Sequence, residues 1–191
     1  GGVDAQEFVQ ELNSIDAKTI NLRINSPGGI VFDARAMQTA LAQHPANVIA
    51  HIDGVAASAA TWLALGANEV RMSEGAFYMI HNSWSLAIGD ADDFRQEAAL
   101  LDQLDTSFVA DYMRKSGLKE PEVRDMMAAE TWMDAETAKA KGFVDLVVDI
   151  APAQNSFNLE AYDNAPAALK ERPDPVSFDR ASMERRLRLM E

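Results

Sequence analysis

Residues 47–60 read NVIAHIDGVAASAA. The first seven residues, with Val48, Ile49 and Ile52 among them, form a run of strand character. Gly54 breaks the run, and Ser58 then stands among Ala56, Ala57, Ala59 and Ala60, where a small-residue helix begins. A serine at the turn from strand to helix is exposed as a nucleophile must be. The first amides of a helix have no partner inside it, so the N–H of Ala59 can face an anionic intermediate. The same position also suits an ordinary helix cap, and the local sequence is not Gly-x-Ser-x-Gly.

Working outward, each neighbour repeats the pattern. Residues 19–25 (TINLRIN) alternate as a strand and run into Ser26-Pro27-Gly28-Gly29, a strong turn signal, before a helical stretch at 31–44. Two glycines allow a sharp turn with exposed N–H groups, one of which could serve an oxyanion. On the other side, 69–72 and 76–81 read as strands, and a helix spans about 91–115, closed by Gly117. Short helices are expected at 121–129 and 134–141, and a last strand at 143–150 (FVDLVVDI). The first residues, 3–12, form an amphipathic helix. Strand, turn and helix in repetition predict an α/β fold with parallel pairing and helical crossovers.

The pattern stops near Ala151. Residues 1–150 are read as one domain, its N-terminus opening abruptly at Gly1-Gly2 as a truncated one would. Residues 151–191 hold four of the seven prolines and read as a linker or disordered tail, with a short charged helix near 181–190.

Composition narrows the chemistry. The 191 residues contain no cysteine, which excludes thiolate nucleophiles, disulfides and zinc–thiolate sites. Net charge is −13, unsuited to a nucleic-acid surface. No apolar run reaches the roughly 18 residues of a membrane span. His44, His51 and His81 share no ligand spacing, and Gly-x-x-x-x-Gly-Lys-Ser/Thr is absent, so neither metal nor nucleotide cofactor is expected. His44 before Pro45 looks like a helix end and His51 like a packing residue in a strand. His81 ends the apolar run Phe77–Ile80 beside Asn82-Ser83, which places a near-neutral base at a strand end. An acid that orients such a base has three candidates downstream: Asp125, Glu130 and Asp134. Asp134 precedes a helix as a cap would, Asp125 lies inside one, and Glu130 is favoured because it stands just before Trp132-Met133.

Four segments in order resemble the proteolytic subunit of Clp protease: Ile24-Asn-Ser-Pro-Gly-Gly29, Gly54-Val-Ala-Ala-Ser-Ala59, Met79-Ile-His81, and Trp132-Met-Asp-Ala-Glu-Thr-Ala-Lys-Ala-Lys-Gly-Phe-Val-Asp145. The resemblance covers residues 3–150. It implies a stack of ββα units, the spiral shared with crotonase-type enzymes, with an outlying long helix. It implies a serine-type endopeptidase with Ser58 as nucleophile, His81 as general base, and oxyanion amides at Gly29 and Ala59. Where the family carries an aspartate, this chain has Glu130. Asn82-Ser-Trp84, Glu130-Thr-Trp132 and the C-terminal extension are closer to the phage head-maturation branch. The expected partners are further copies in a homo-oligomeric ring, protein or peptide substrates, and an AAA+ unfoldase or phage capsid and scaffold proteins. The expected location is the cytoplasm or the interior of a phage prohead. Two other readings of the same fold are a crotonase-type acyl-CoA enzyme and a non-catalytic assembly subunit. The first would want a cationic patch for the CoA phosphates, and the folded part carries the negative charge.

Overall fold

The computed structural model describes residues 2–149, 159 and 162–170. Helix α1 (Ala5–Ser14) opens the chain, capped by Asp4, whose side chain accepts from the Glu7 N–H. Then follow β1 (Thr19–Ser26), α2 (Val31–Gln43), β2 (Asn47–Ala57), α3 (Ala59–Ala64), β3 (Glu69–Ser73) and β4 (Phe77–Ile80). The second half comprises α4 (Ala91–Ser116), α5 (Glu120–Ala128), β5 (Thr131–Asp134), α6 (Ala135–Ala140), β6 (Leu146–Val148) and α7 (Ala167–Lys170).

The strands form one curled six-stranded sheet. Strand β2 is its axis. Its first half pairs in parallel with β1 and β3, and its last residues, Val55–Ala57, pair in parallel with β4. The parallel pairing and helical crossovers match the sequence expectation. Two things differ. Strand β2 runs on past Gly54 to Ala57, because β4 offers partners to Val55–Ala57. Strand β5 was not foreseen; four residues long, it pairs antiparallel with β4. The predicted last strand is shorter than expected, from Leu146 to Val148.

A bulge in β2 lies opposite the end of β1. The register moves from Ile24 opposite Ile52 to Ser26 opposite Ala56. Asn25 sits in the irregularity, and its side-chain oxygen accepts the Val55 N–H at 3.1 Å. Bulges bend a strand and redirect the residues beyond them; here those are Ala56, Ala57 and then Ser58.

One face of the sheet carries the main core. Ile52, Tyr78 and Ile80 pack there with Tyr112 of α4, Met127 of α5 and Phe143. The other face of its β2–β4–β5 part presents Val55, Ala57, Phe77, Met79 and Trp132, and these are covered by Leu159, Tyr162, Ala165 and Leu169. Within the described residues, therefore, part of the region read as linker or disordered tail lies against the domain. The charged helix expected near 181–190 lies outside the described residues.

The long helix α4 begins with a capping box at Asp90 and Asp93 and ends at Gly117 in the left-handed conformation. Only its C-terminal part is buried, through Phe108, Val109, Asp111 and Tyr112. Buried Asp111 accepts from Trp62 Nε1 of α3 and from Arg35 of α2, the latter at 2.8 Å. The first half projects, leaving Phe94 and Leu100 exposed, as are Trp84, Leu86 and Ile88 in the preceding loop.

Candidate active site

Parallel pairing of β2 with β4 ends both strands at the same height, with Ala57 opposite Met79. The Ser58 N–H donates to Met79 O at 3.0 Å, so the residue after β2 is tied to the strand that leads to His81. His81 Nε2 and Ser58 Oγ are 2.7 Å apart, within hydrogen-bond reach. With Nε2 unprotonated, the serine hydroxyl donates to it, the polarity a base needs.

Ser58 is not the helix cap that its position allowed. Its side chain makes no capping bond, and its Oγ is turned to His81. Its backbone has φ 55° and ψ −129°, a conformation sparsely populated by non-glycine residues and costing about 1–3 kcal/mol. Its carbonyl is held by both the N–H and the hydroxyl of Thr61, at 2.9 and 2.6 Å, which helps fix that backbone.

The turn after β1 lies against the same spot. Gly28 has φ +103°, and a Cβ there would come within 2.7 Å of Ala57 O and 2.8 Å of Ser58 Cβ. Only glycine fits so close an approach. Gly29 is exposed and follows directly. Neither the Gly29 nor the Ala59 N–H is engaged by a hydrogen bond among the described residues.

A cleft of about 450 Å³ opens over this group, with Ser58 and His81 in its wall beside Gly29, Ile30, Trp84 and Tyr162. His81 is largely enclosed. That burial lowers its pKa from the ordinary imidazole value, while the negative charges of Glu130 and, more weakly, Asp105 oppose the shift. Burial thus keeps the imidazole neutral and able to accept a proton.

Glu130 is near enough to act on His81 by charge, but its hydrogen bonds go elsewhere. Its carboxylate accepts from Trp132 Nε1 at 3.0 Å and from the main-chain N–H groups of Asp163 and Asn164, at 3.0 and 2.7 Å. Among the described residues no hydrogen bond joins it to His81. Its backbone is also unusual, with φ 46°. Of the other two acids, Asp134 caps α6 by accepting the Thr137 N–H at 2.8 Å, as its position predicted, and Asp125 is exposed on α5. His44 Nδ1 accepts the Ala46 N–H at the end of α2, and His51 bonds Asn21 across β1 and β2. Both are structural, as read from the sequence. Among the described residues no cluster of His, Asp or Glu could hold a metal, and no helix is long and apolar enough to cross a membrane.

One residue of the site escaped sequence reading. The Tyr162 hydroxyl donates to Pro27 O at 2.5 Å, and its ring meets His81 edge to face, centroids 5.3 Å apart. The signal available was indirect. Strand β4 (FYMI) is apolar at every position, and a strand with both faces apolar is covered on both.

The chain is 27% identical over 157 residues to the ATP-dependent Clp protease proteolytic subunit 1 of Prochlorococcus marinus, covering 79% of this chain and 80% of that protein. Its fold is similar to that of a ClpP1 point mutant from Listeria monocytogenes, with a TM-score of 0.69 and 20% identity, covering 76% of this chain and 84% of the other. The model of the Clp protease family matches residues 4–151. With that match spanning the whole sheet and both sides of the cleft, the chain belongs to the Clp protease family.

Proposed function

We propose that the chain is a serine endopeptidase in which Ser58 attacks a peptide carbonyl and His81 takes the serine proton. The observation that carries this reading is the 2.7 Å approach of His81 Nε2 to Ser58 Oγ. As the Oγ–carbonyl carbon bond forms, the carbonyl oxygen becomes an oxyanion. The N–H groups of Gly29 and Ala59, unengaged among the described residues, are its donors, and two preorganised amides beside Ser58 stabilise such a charge strongly. His81 then gives its proton to the leaving amine, and a water repeats the cycle on the acyl-enzyme. Glu130 is the third member of the site, stabilising the imidazolium through its charge.

The active unit in this reading is a homo-oligomeric ring that encloses the sites. Its apolar contacts come from the projecting half of α4 and the loop before it, where Trp84, Leu86, Ile88 and Phe94 are exposed. The extension beyond residue 150, with Asn82-Ser-Trp84 and Glu130-Thr-Trp132, favours the maturation of phage proheads as the setting. Capsid or scaffold proteins are the substrates this would imply, and an AAA+ unfoldase is the alternative supplier.

Labelling with a serine-reactive fluorophosphonate tests the chemistry. The wild-type chain is expected to be tagged at Ser58, and Ser58→Ala to be neither tagged nor active on a peptide library while melting close to wild type, because the Ser58 side chain makes no capping bond. Loss of a nucleophile costs several orders of magnitude in rate, so wild-type hydrolysis by purified Ser58→Ala would refute the assignment.

A further inference from the structure

The described part of the C-terminal region, Leu159 and residues 162–169, does more than cover the second face of the sheet. Tyr162 reaches past that apolar layer into the cleft wall and touches both halves of the site. Its hydroxyl donates to Pro27 O, the carbonyl two residues before the Gly29 amide. Its ring stands edge-on to His81 at 5.3 Å and edge-on to Trp132 at 6.0 Å.

The segment is held from the other side by Glu130. Consecutive main-chain N–H groups, of Asp163 and Asn164, point at its carboxylate, and the Asn164 side chain donates to Ala129 O at 3.1 Å. Main-chain donors to a carboxylate are strong, charge-assisted bonds. The residue that occupies the acid position thus spends its hydrogen bonds on fixing the residues next to Tyr162. Burial raises the Tyr162 pKa, although the neighbouring Ser58 side chain opposes this. The phenol stays protonated and keeps its donor.

We infer that Tyr162 is a positioning residue of the active site, clamped by Glu130, which steadies the oxyanion turn through Pro27 and shields the His81 imidazole from water. The inference rests on the serine peptidase reading. An armed site keeps the Ser58–His81 hydrogen bond formed and, among the described residues, the Gly29 and Ala59 amides unengaged. Both conditions hold here with Tyr162 in place. The groups facing His81 are Ser58 after β2, Glu130 before β5, Asp105 of α4 and Tyr162 of the C-terminal segment, and together they determine the effect of removing the ring. Water would reach the imidazole, the burial that lowers its pKa would weaken, and the two carboxylates would then hold it higher.

The rate of fluorophosphonate labelling at Ser58, measured against pH and probe concentration in the full chain, tests the role. Losing a direct oxyanion donor costs about 10²–10³ in rate. Tyr162→Phe, which keeps the ring and loses one bond at a distance from the donor, is expected to label about tenfold more slowly at saturating probe. Its half-saturation and the acid limb of its pH profile should stay as in wild type. Tyr162→Ala is expected to be slower and to shift the acid limb upward, toward the ordinary imidazole value. If both variants match wild type in rate and pH profile while only melting earlier, Tyr162 is merely structural and the inference falls. Faster labelling of Tyr162→Ala would also overturn it, because the segment would then be an obstruction. Absence of labelling in the wild type would instead overturn the peptidase reading beneath it. Tyr162→Phe retains shape and packing, so the test stands even if Tyr162→Ala does not fold.

Discussion

His81 carries opposed influences, and their balance sets the pH at which it can act. Burial lowers its pKa, while Glu130 and Asp105 raise it. The acid limb of Ser58 reactivity is therefore expected below the ordinary imidazole value of about 6.5. Asp105→Asn removes one of the two anions while its amide oxygen can still accept the Ser83 N–H, now bound at 2.7 Å. An anion favours imidazolium, so its loss lowers the pKa further. The acid limb should move down, and relative reactivity at mildly acidic pH should rise. An upward shift on titrating the variant would contradict this account. At this scale the sequence was informative about type and order. A serine after one apolar strand and a histidine after another were legible because parallel strands in register end together. The bonds of Glu130 were not legible, because its donors, Asp163 and Asn164, lie more than thirty residues away, in a stretch without periodicity. The strained backbone of Ser58 was equally hidden, since neighbouring turns and Thr61 impose it.

Between elements, the helix that follows Ser58 is anchored by a buried carboxylate. Asp111 of α4 accepts from Trp62 Nε1 and from Arg35, and Arg35 also lies over the Trp62 ring at 4.7 Å. Asp111→Ala would leave the Trp62 N–H buried without an acceptor. Loss of a buried acceptor with charged partners costs on the order of 3 kcal/mol. Urea unfolding should show that fall in stability, and a change under about 0.5 kcal/mol would mean that the network is dispensable. Most of the elements could be read from the chain. Alternation over 19–25, the double glycine at 28 and 29, and helical spacing over 91–115 each had a local cause. What could not be read was set by distant partners. Strand β5 exists because β4 offers it an edge, and its four residues have no pattern of their own. Likewise β2 continues past Gly54 because β4 pairs with the residues beyond it.

For the whole molecule, the exposed apolar residues at Trp84, Leu86, Ile88 and Phe94 gather on the loop before α4 and its first turn. Patches of this kind mark interaction sites. Sedimentation should find a particle several times the 20.9 kDa chain mass at micromolar concentration. Each chain carries −13, so subunits repel, and salt shortens that repulsion from about 30 Å at 0.01 M to about 8 Å at 0.15 M. The particle should therefore tighten as salt rises over that range. Dissociation by salt would show ion pairs, rather than apolar packing, holding it together. The C-terminal segment has a further consequence, for biosynthesis. Val55, Ala57, Phe77, Met79 and Trp132 are made well before the residues that cover them. The stretch from the end of the sheet to Leu169 is about twenty residues, and translation at about 5–20 residues per second delays its appearance by roughly one to four seconds. For that interval a nascent sheet already able to form would show an oily underside to every neighbouring polysome, and a message cut short before residue 159 would leave it bare for good.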